Sequence, residues 1–82
     1  MKIVVKDMYE GVELLYKGAS EREAKKAIKE RVEDTSGECA FLIKVTNICY
    51  PDMQLSEELK ISITDSLYNY AQECYDEIAE YL

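Results

Sequence analysis

The chain contains no histidine, only three glycines and a single proline among its 82 residues. Histidine is the commonest general acid–base group of enzymes, so its absence removes the usual proton-transfer side chain. The glycines do not form the loop that cradles phosphates, and no cysteine or serine has a basic partner that can be recognised from the sequence. We therefore expect a protein that is not an enzyme and that needs no cofactor.

Long apolar runs are also missing, since none approaches the roughly 20 residues of a membrane span. The first seven residues place an acid and bases around a short apolar run, which is typical of a strand and not of a signal peptide. The 48% hydrophobic content is that of a folded globular chain. We expect one soluble domain over residues 1–82, located in the cytoplasm and without a membrane partner.

The three cysteines are an odd number, and the spacing of Cys39, Cys49 and Cys74 matches no zinc site. Cys39 and Cys49 fall near opposite ends of one predicted extended segment, roughly 30 Å apart and too far for a disulfide. Carboxylates near the C-terminus are spread along a helix, with no turn to wrap an ion. We expect buried, reduced thiols and no metal.

Basic residues are nearly absent from the C-terminal part of the chain. Residues 1–48 hold nine bases and nine acids, whereas residues 49–82 hold Lys60 against eight acids and so carry the whole net charge of −7. Such a segment repels phosphates, which argues against direct binding of nucleic acid. It favours a basic protein as partner.

Apolar periodicity predicts a β-hairpin over residues 2–8 and 12–17, a helix over 20–34 and a strand over 39–49. Ser20 with Glu23 forms a capping box at the start of the helix, and Gly37 is a left-handed terminator at its end. Arg31 interrupts the apolar side of this helix, and we expect its side chain to extend outward into solvent.

Residues 57–64 can be interpreted in two ways. Leu59, Ile61 and Ile63 alternate with polar residues, which predicts a fourth strand, and residues 64–66 then cap the last helix. The alternative is one long helix that begins at Ser56. The predicted fold is α+β with two layers, in which two helices cover one face of a four-stranded, mainly antiparallel sheet. The element order is ββαββα, or ββαβα if the C-terminal helix is long.

The last helix, residues 65–82, separates apolar from acidic side chains. The apolar side consists of Leu67, Ala71, Cys74, Tyr75, Ile78 and Leu82. The opposite side bears Glu73, Asp76, Glu77 and Glu80, at least one carboxylate for each turn of about 5.4 Å. Phosphates follow a nucleic-acid strand at a similar spacing, so these carboxylates can occupy a groove lined by Lys and Arg.

The predicted partner-binding residues are Glu73, Asp76, Glu77, Glu80, Asp65, Asn69, Tyr70 and Tyr81. The predicted secondary contact consists of Tyr50, Asp52, Met53, Glu57 and Glu58. Like charges three or four residues apart destabilise a helix by a few tenths of a kcal/mol per pair, and the helix dipole disfavours them near the C-terminus. A face that lowers stability favours a functional role, although a merely solvating face is the alternative interpretation.

The uncovered face of the predicted sheet is a second candidate surface. Simple alternation directs Val12, Leu14 and Tyr16 toward the helices, and leaves Val4, Leu15 and Leu42 outside among five lysines. Bases of single-stranded nucleic acid would need exposed aromatic residues on such a face. The Val4, Leu15 and Leu42 face therefore predicts a homodimer or an assembly contact.

In its size, its acidity and its Glu73–Glu80 row, the chain resembles the small acidic inhibitors encoded by phages and mobile elements, including anti-CRISPR proteins, although no stretch aligns with them. The resemblance implies a nucleic-acid-mimicking inhibitor in a bacterial host cell. Its target would be a basic nucleic-acid-binding effector, such as a CRISPR nuclease complex. Because the first half is charge-balanced, the implied mimicry is local. Two alternatives remain: a structural or assembly module, monomeric or homodimeric, and an antitoxin-like neutraliser of a basic toxin.

Overall fold

The computed structural model describes residues 1–46 and 56–81. The elements are β1 (Lys2–Asp7), β2 (Glu13–Gly18), α1 (Glu21–Thr35), β3 (Phe41–Thr46) and α2 (Glu57–Glu80). The strands form one antiparallel sheet in the order β2-β1-β3. The predicted α+β class is therefore confirmed, whereas the described residues form three strands in the order ββαβα and not four strands in the order ββαββα.

The predicted fourth strand is wrong because residues 57–64 belong to α2. Ser56 caps this helix, since its hydroxyl accepts a hydrogen bond from the Leu59 N–H at 3.1 Å. Thr64, predicted to start a new helix, instead donates its hydroxyl to the Lys60 carbonyl one turn earlier, at 2.8 Å. The helix therefore continues through the capping signals at residues 64–66.

Burial along α2 follows the helical period. The buried side chains are separated by steps of three or four residues: Ile63, Leu67, Ala71 and Cys74. Leu59 and Ile61, which the strand prediction placed in the core with Ile63, are 44% and 58% exposed. The alternating apolar residues at 59, 61 and 63 thus contribute a single side chain to the core.

A β-bulge exchanges the predicted faces of Leu14 and Leu15 in β2, whereas Tyr16 packs against the core as predicted. Val5 pairs with Tyr16, but the next residue of β1, Lys6, pairs with Leu14, which leaves Leu15 as an extra residue. Leu15 packs against the core, while Leu14 is 55% exposed. The predicted outer position of Leu15 and inner position of Leu14 are wrong, because a shift of one residue moves side chains to the opposite face.

Both helices pack on the same face of the sheet, and their buried side chains form one core with β1 and β3. This core consists of Ile3, Val5, Ala24, Ile28, Ile43, Val45, Ile63, Leu67 and Ala71. A smaller cluster joins Val32 to the free, buried thiols of Cys39 and Cys74. Cys49 lies outside the described residues. Neither helix within residues 1–46 and 56–81 combines the length and hydrophobicity of a membrane span.

The predicted start of α1 at Ser20 is confirmed, but one of the two predicted capping hydrogen bonds is made with a different residue. The Ser20 hydroxyl accepts a hydrogen bond from the Glu23 N–H at 3.1 Å, but the Ser20 N–H donates to the Tyr16 hydroxyl at 3.0 Å and not to Glu23. A side chain of β2 thus completes the cap. At the other end both Ser36 (φ 54°) and Gly37 (φ 87°) are left-handed, so the termination begins one residue before the predicted glycine.

Arg31 does not extend into solvent as predicted. Its Nε donates to Asp7 at 2.8 Å and its Nη2 to Glu13 at 2.5 Å. Asp7 is only 2% exposed and also accepts the N–H groups of Tyr9 and Ala40 at 2.9 and 3.0 Å. Burial raises the pKa of Asp7, but these backbone donors and Arg31 outweigh it and hold the pKa below its ordinary 3.8. The network joins α1 to the end of β1 at Asp7 and to the start of β2 at Glu13, and it has a structural role.

Candidate protein-binding face

The outer side of α2 carries a continuous row of polar side chains, longer than the sequence predicted because α2 is one helix. The row advances by three or four residues at a time and keeps within about 80° of arc. Its members are all exposed, and we call them the acidic row: Glu58, Ser62, Asp65, Asn69, Glu73, Asp76 and Glu80. At ~1.5 Å per residue the row spans about 33 Å.

The structure brings most predicted contact residues into or beside this row. Glu73, Asp76 and Glu80 belong to it, as do Asp65 and Asn69. Glu58, assigned to the secondary contact, becomes the first member. Exposed Glu77 lies beside the row, on the side that faces α1.

The carboxylates of the acidic row have no basic partner within 4 Å among the described residues. The ion pairs there join Lys25 to Glu21, Arg31 to Asp7 and Glu13, and Lys60 to Glu57. Asp76 accepts a hydrogen bond from the neighbouring Gln72 amide at 3.0 Å. The row thus presents its charge to solvent.

Helix α1 places a basic edge beside the acidic row. A groove of about 640 Å³ between the helices is lined by Lys25 together with Glu58, Asp65 and Glu73. A second groove, of about 240 Å³, is lined by Lys29 and Glu77 among others. On the β3 side, a groove of about 330 Å³ is lined by Lys44 and Lys60 together with Asp65. The negative surface is therefore a stripe with lysines on both sides, and it does not extend around the molecule.

The two tyrosines predicted beside the row differ in exposure. Tyr81 is 87% exposed, whereas Tyr70 is half-buried against the core, with the Lys25 ammonium 5.6 Å from its ring centroid. Burial raises the pKa of Tyr70, and the neighbouring Cys74 and Glu77 raise it further. Tyr70 is therefore a neutral wall of the groove, and Tyr81 is the accessible anchor.

Ile61 is an exposed apolar neighbour of the row that the sequence prediction missed. It lines the same groove as Glu58 and Asp65 and is 58% exposed. The strand interpretation placed it in the core. Counting the helical period from the Ser56 cap would have placed it outside.

The predicted secondary contact lies only partly within the described residues. Tyr50, Asp52 and Met53 lie outside the described residues. Glu57 is ion-paired with Lys60 at 2.5 Å and does not join the row. Within residues 1–46 and 56–81, no three His, Cys, Asp or Glu side chains are grouped so that they could hold a metal ion.

Comparison with known proteins assigns no family to this arrangement. No protein-family model matches the sequence, and neither curated proteins nor solved structures give a significant match.

Proposed function

We propose that the protein is a non-catalytic inhibitor of the anti-CRISPR type, which docks its acidic row onto the basic nucleic-acid-binding surface of a target protein. The observation that supports this proposal is a row about 33 Å long, in which five of seven exposed side chains are carboxylates. Such a row offers Lys and Arg side chains the charge-assisted hydrogen bonds that a phosphate backbone offers.

The backbone that carries the acidic row is held rigidly. The opposite side of α2 is fixed in the core by Ile63, Leu67 and Ala71. Because the helix is already held in place, binding orders few additional degrees of freedom and loses less entropy. The polar side chains follow one another at axial steps of about 4.5 to 6 Å, so that every turn presents one to the partner.

The distribution of charge also favours a basic partner. Residues 49–82 carry the net charge of −7, and a one-sided field accelerates association with a surface of opposite sign. Screening acts over roughly 8 to 10 Å near physiological ionic strength, so binding should weaken as salt rises.

The test is a pull-down from bacterial lysate with a variant that reverses the C-terminal part of the row and Glu77. This row-reversal variant carries Glu73→Lys, Asp76→Lys, Glu77→Lys and Glu80→Lys. Its affinity for the captured target should fall at least about a hundredfold, because like charges across an interface cost several kcal/mol. Identification of the captured protein distinguishes a nuclease complex from a basic toxin.

The matched control reverses four exposed acids elsewhere: Glu10→Lys, Glu23→Lys, Glu30→Lys and Glu38→Lys. Both variants change the net charge by +8, from −7 to +1. The control should retain binding within about tenfold. Equal losses in the two variants would show that only net charge matters, and unchanged binding of the row-reversal variant would disprove the proposal.

A further inference from the structure

The outer face of the sheet, which the helices leave uncovered, has a regular pattern of its own. Two adjacent rows of side chains cross the three strands, as the strand pairing shows. We call these six residues the sheet chequerboard: Leu14, Lys6 and Leu42 in one row, and Lys17, Val4 and Lys44 in the next. Apolar and basic side chains alternate both along the strands and across them.

This face is accessible and carries one sign of charge. Leu14 and Leu42 are 55% and 47% exposed, and Lys17 and Lys44 are exposed as well. The two acids of the strands add no negative charge to this face. Asp7 and Glu13 are opposite each other in the strand register, and both side chains bond to Arg31 on the helix side of the sheet. The chequerboard is thus basic and apolar. It lies on the sheet face that the helices leave uncovered, and Lys44 at its edge lines a groove with Asp65 of the acidic row.

We propose that the sheet chequerboard of one copy binds the acidic row of a second copy, in a head-to-tail arrangement. The charges are complementary in sign. The apolar side chains also find a counterpart, since Ile61 lies exposed between Glu58 and Asp65. A symmetric contact between two sheet faces would instead set lysines against lysines.

The geometry limits both the form and the strength of this association. Because the contact joins two different surfaces, each added copy leaves one of each free, and a contact that does not close into a ring builds open chains. Three six-residue strands give a patch of roughly 20 by 14 Å. This is well below the ~800 Å² per partner of stable complexes, so association should require high protein concentration and low salt. It would cover the acidic row and compete with a target.

Two variants, neither of which increases the net negative charge, test the contact by sedimentation velocity. The sheet variant, Leu14→Ser with Leu42→Ser, leaves the net charge unchanged. The row variant, Glu58→Gln with Asp65→Asn and Glu73→Gln, changes it from −7 to −4 and so lowers the repulsion between copies. Each should lower the association constant about tenfold or more.

The control variant is Val12→Ser, which removes an aliphatic side chain 66% exposed and outside the strands, and it should associate like the wild type. An equimolar mixture of the sheet and row variants should form a 1:1 dimer and nothing longer. The intact chequerboard of one then meets the intact row of the other, and both remaining surfaces are disabled.

Three results would overturn the inference. The wild type could remain monomeric at millimolar concentration and low salt. The row variant could still associate while the sheet variant does not, which is the behaviour of a symmetric sheet contact. Finally, wild-type protein could bind phosphatidylserine vesicles through Leu14 and Leu42 without self-association, which would assign the chequerboard to a membrane surface.

Discussion

At the scale of single residues, Asp7 shows how a buried charge is stabilised in a small protein. Its carboxylate accepts two backbone N–H groups and one guanidinium N–H, from Tyr9, Ala40 and Arg31. These bonds compensate for the loss of water around the charge. They join β1 to the adjacent turn and to two segments that are distant in sequence, so loss of the charge affects the turn, the start of β3 and α1 together.

Replacement of Asp7 by asparagine should lower the free energy of unfolding by about 2 to 3 kcal/mol at neutral pH, because the variant keeps an acceptor but loses the charge. The folded pKa of Asp7 lies below its ordinary 3.8. The stabilisation is therefore present above pH 3.8 and is lost as pH falls below it. Urea titrations should show a difference between wild type and Asp7→Asn that narrows as pH falls below 3.8.

Glu13→Gln is the control for this measurement. Glu13 contacts the same arginine, but its side chain is 60% exposed, so its replacement should change stability by less than about 1 kcal/mol. A difference for Asp7→Asn that persists unchanged at low pH would mean that the amide disrupts packing and that ionisation is irrelevant.

At the scale of elements, α2 illustrates why alternation over five residues is a weak signal. The apolar residues at 59, 61 and 63 fit a strand, but Ile63 also begins the helical series that continues through Leu67 and Ala71. The helical series determines the structure because it buries one continuous apolar stripe of α2 against the sheet. The alternative prediction, with a long helix from Ser56, was the one that the structure supports.

Two isoleucines test this assignment directly. Ile63 is 9% exposed, so Ile63→Ala should lower the free energy of unfolding by about 2 to 4 kcal/mol. Ile61 is 58% exposed, and Ile61→Ala should change it by less than about 0.5 kcal/mol, since alanine also has the higher helix propensity. Chemical denaturation of both variants provides the measurement. Similar losses from the two would mean that both side chains face the core, as in a strand.

At the scale of the whole molecule, charge is separated between two faces. The acidic row lies on the exposed side of α2, and the chequerboard lies on the uncovered face of the sheet, with Lys44 at the edge that borders α2. Neighbouring carboxylates such as Glu73 and Glu77 repel each other one turn apart, and they lie near the end of α2 where the helix dipole disfavours negative charge. We therefore expect the carboxylates at the C-terminal end of α2 to reduce the stability of the fold.

Neutralisation of Glu77 should make the protein more stable. Glu77→Gln relieves repulsion from Glu73 and Glu80, and should raise the free energy of unfolding by about 0.5 kcal/mol at low salt. Added salt should reduce the gain. Glu23→Gln provides a control of opposite sign, because it removes a favourable charge from the first turn of α1. A loss of stability in Glu77→Gln, measured by thermal unfolding, would indicate that this carboxylate has a stabilising partner.

The sequence by itself determined the features that depend on neighbouring residues. The cap at Ser20, the left-handed termination near Gly37 and the opposition of Glu73 to Leu67 and Ala71 all follow from interactions within one or two turns. The charge imbalance between the two halves is likewise a property of the chain. These predictions needed no knowledge of how the elements pack.

Only the tertiary structure decided the features that depend on distant partners. Pairing with β1 placed the bulge in β2 and so turned Leu15 inward, and the approach of Asp7 gave Arg31 its partner. Packing of Ile63 on the sheet extended α2 back to residue 57, which lengthened the acidic row to Glu58. In each case several local conformations were compatible with the sequence, and the free energy gained by burial and pairing across the fold selected one of them.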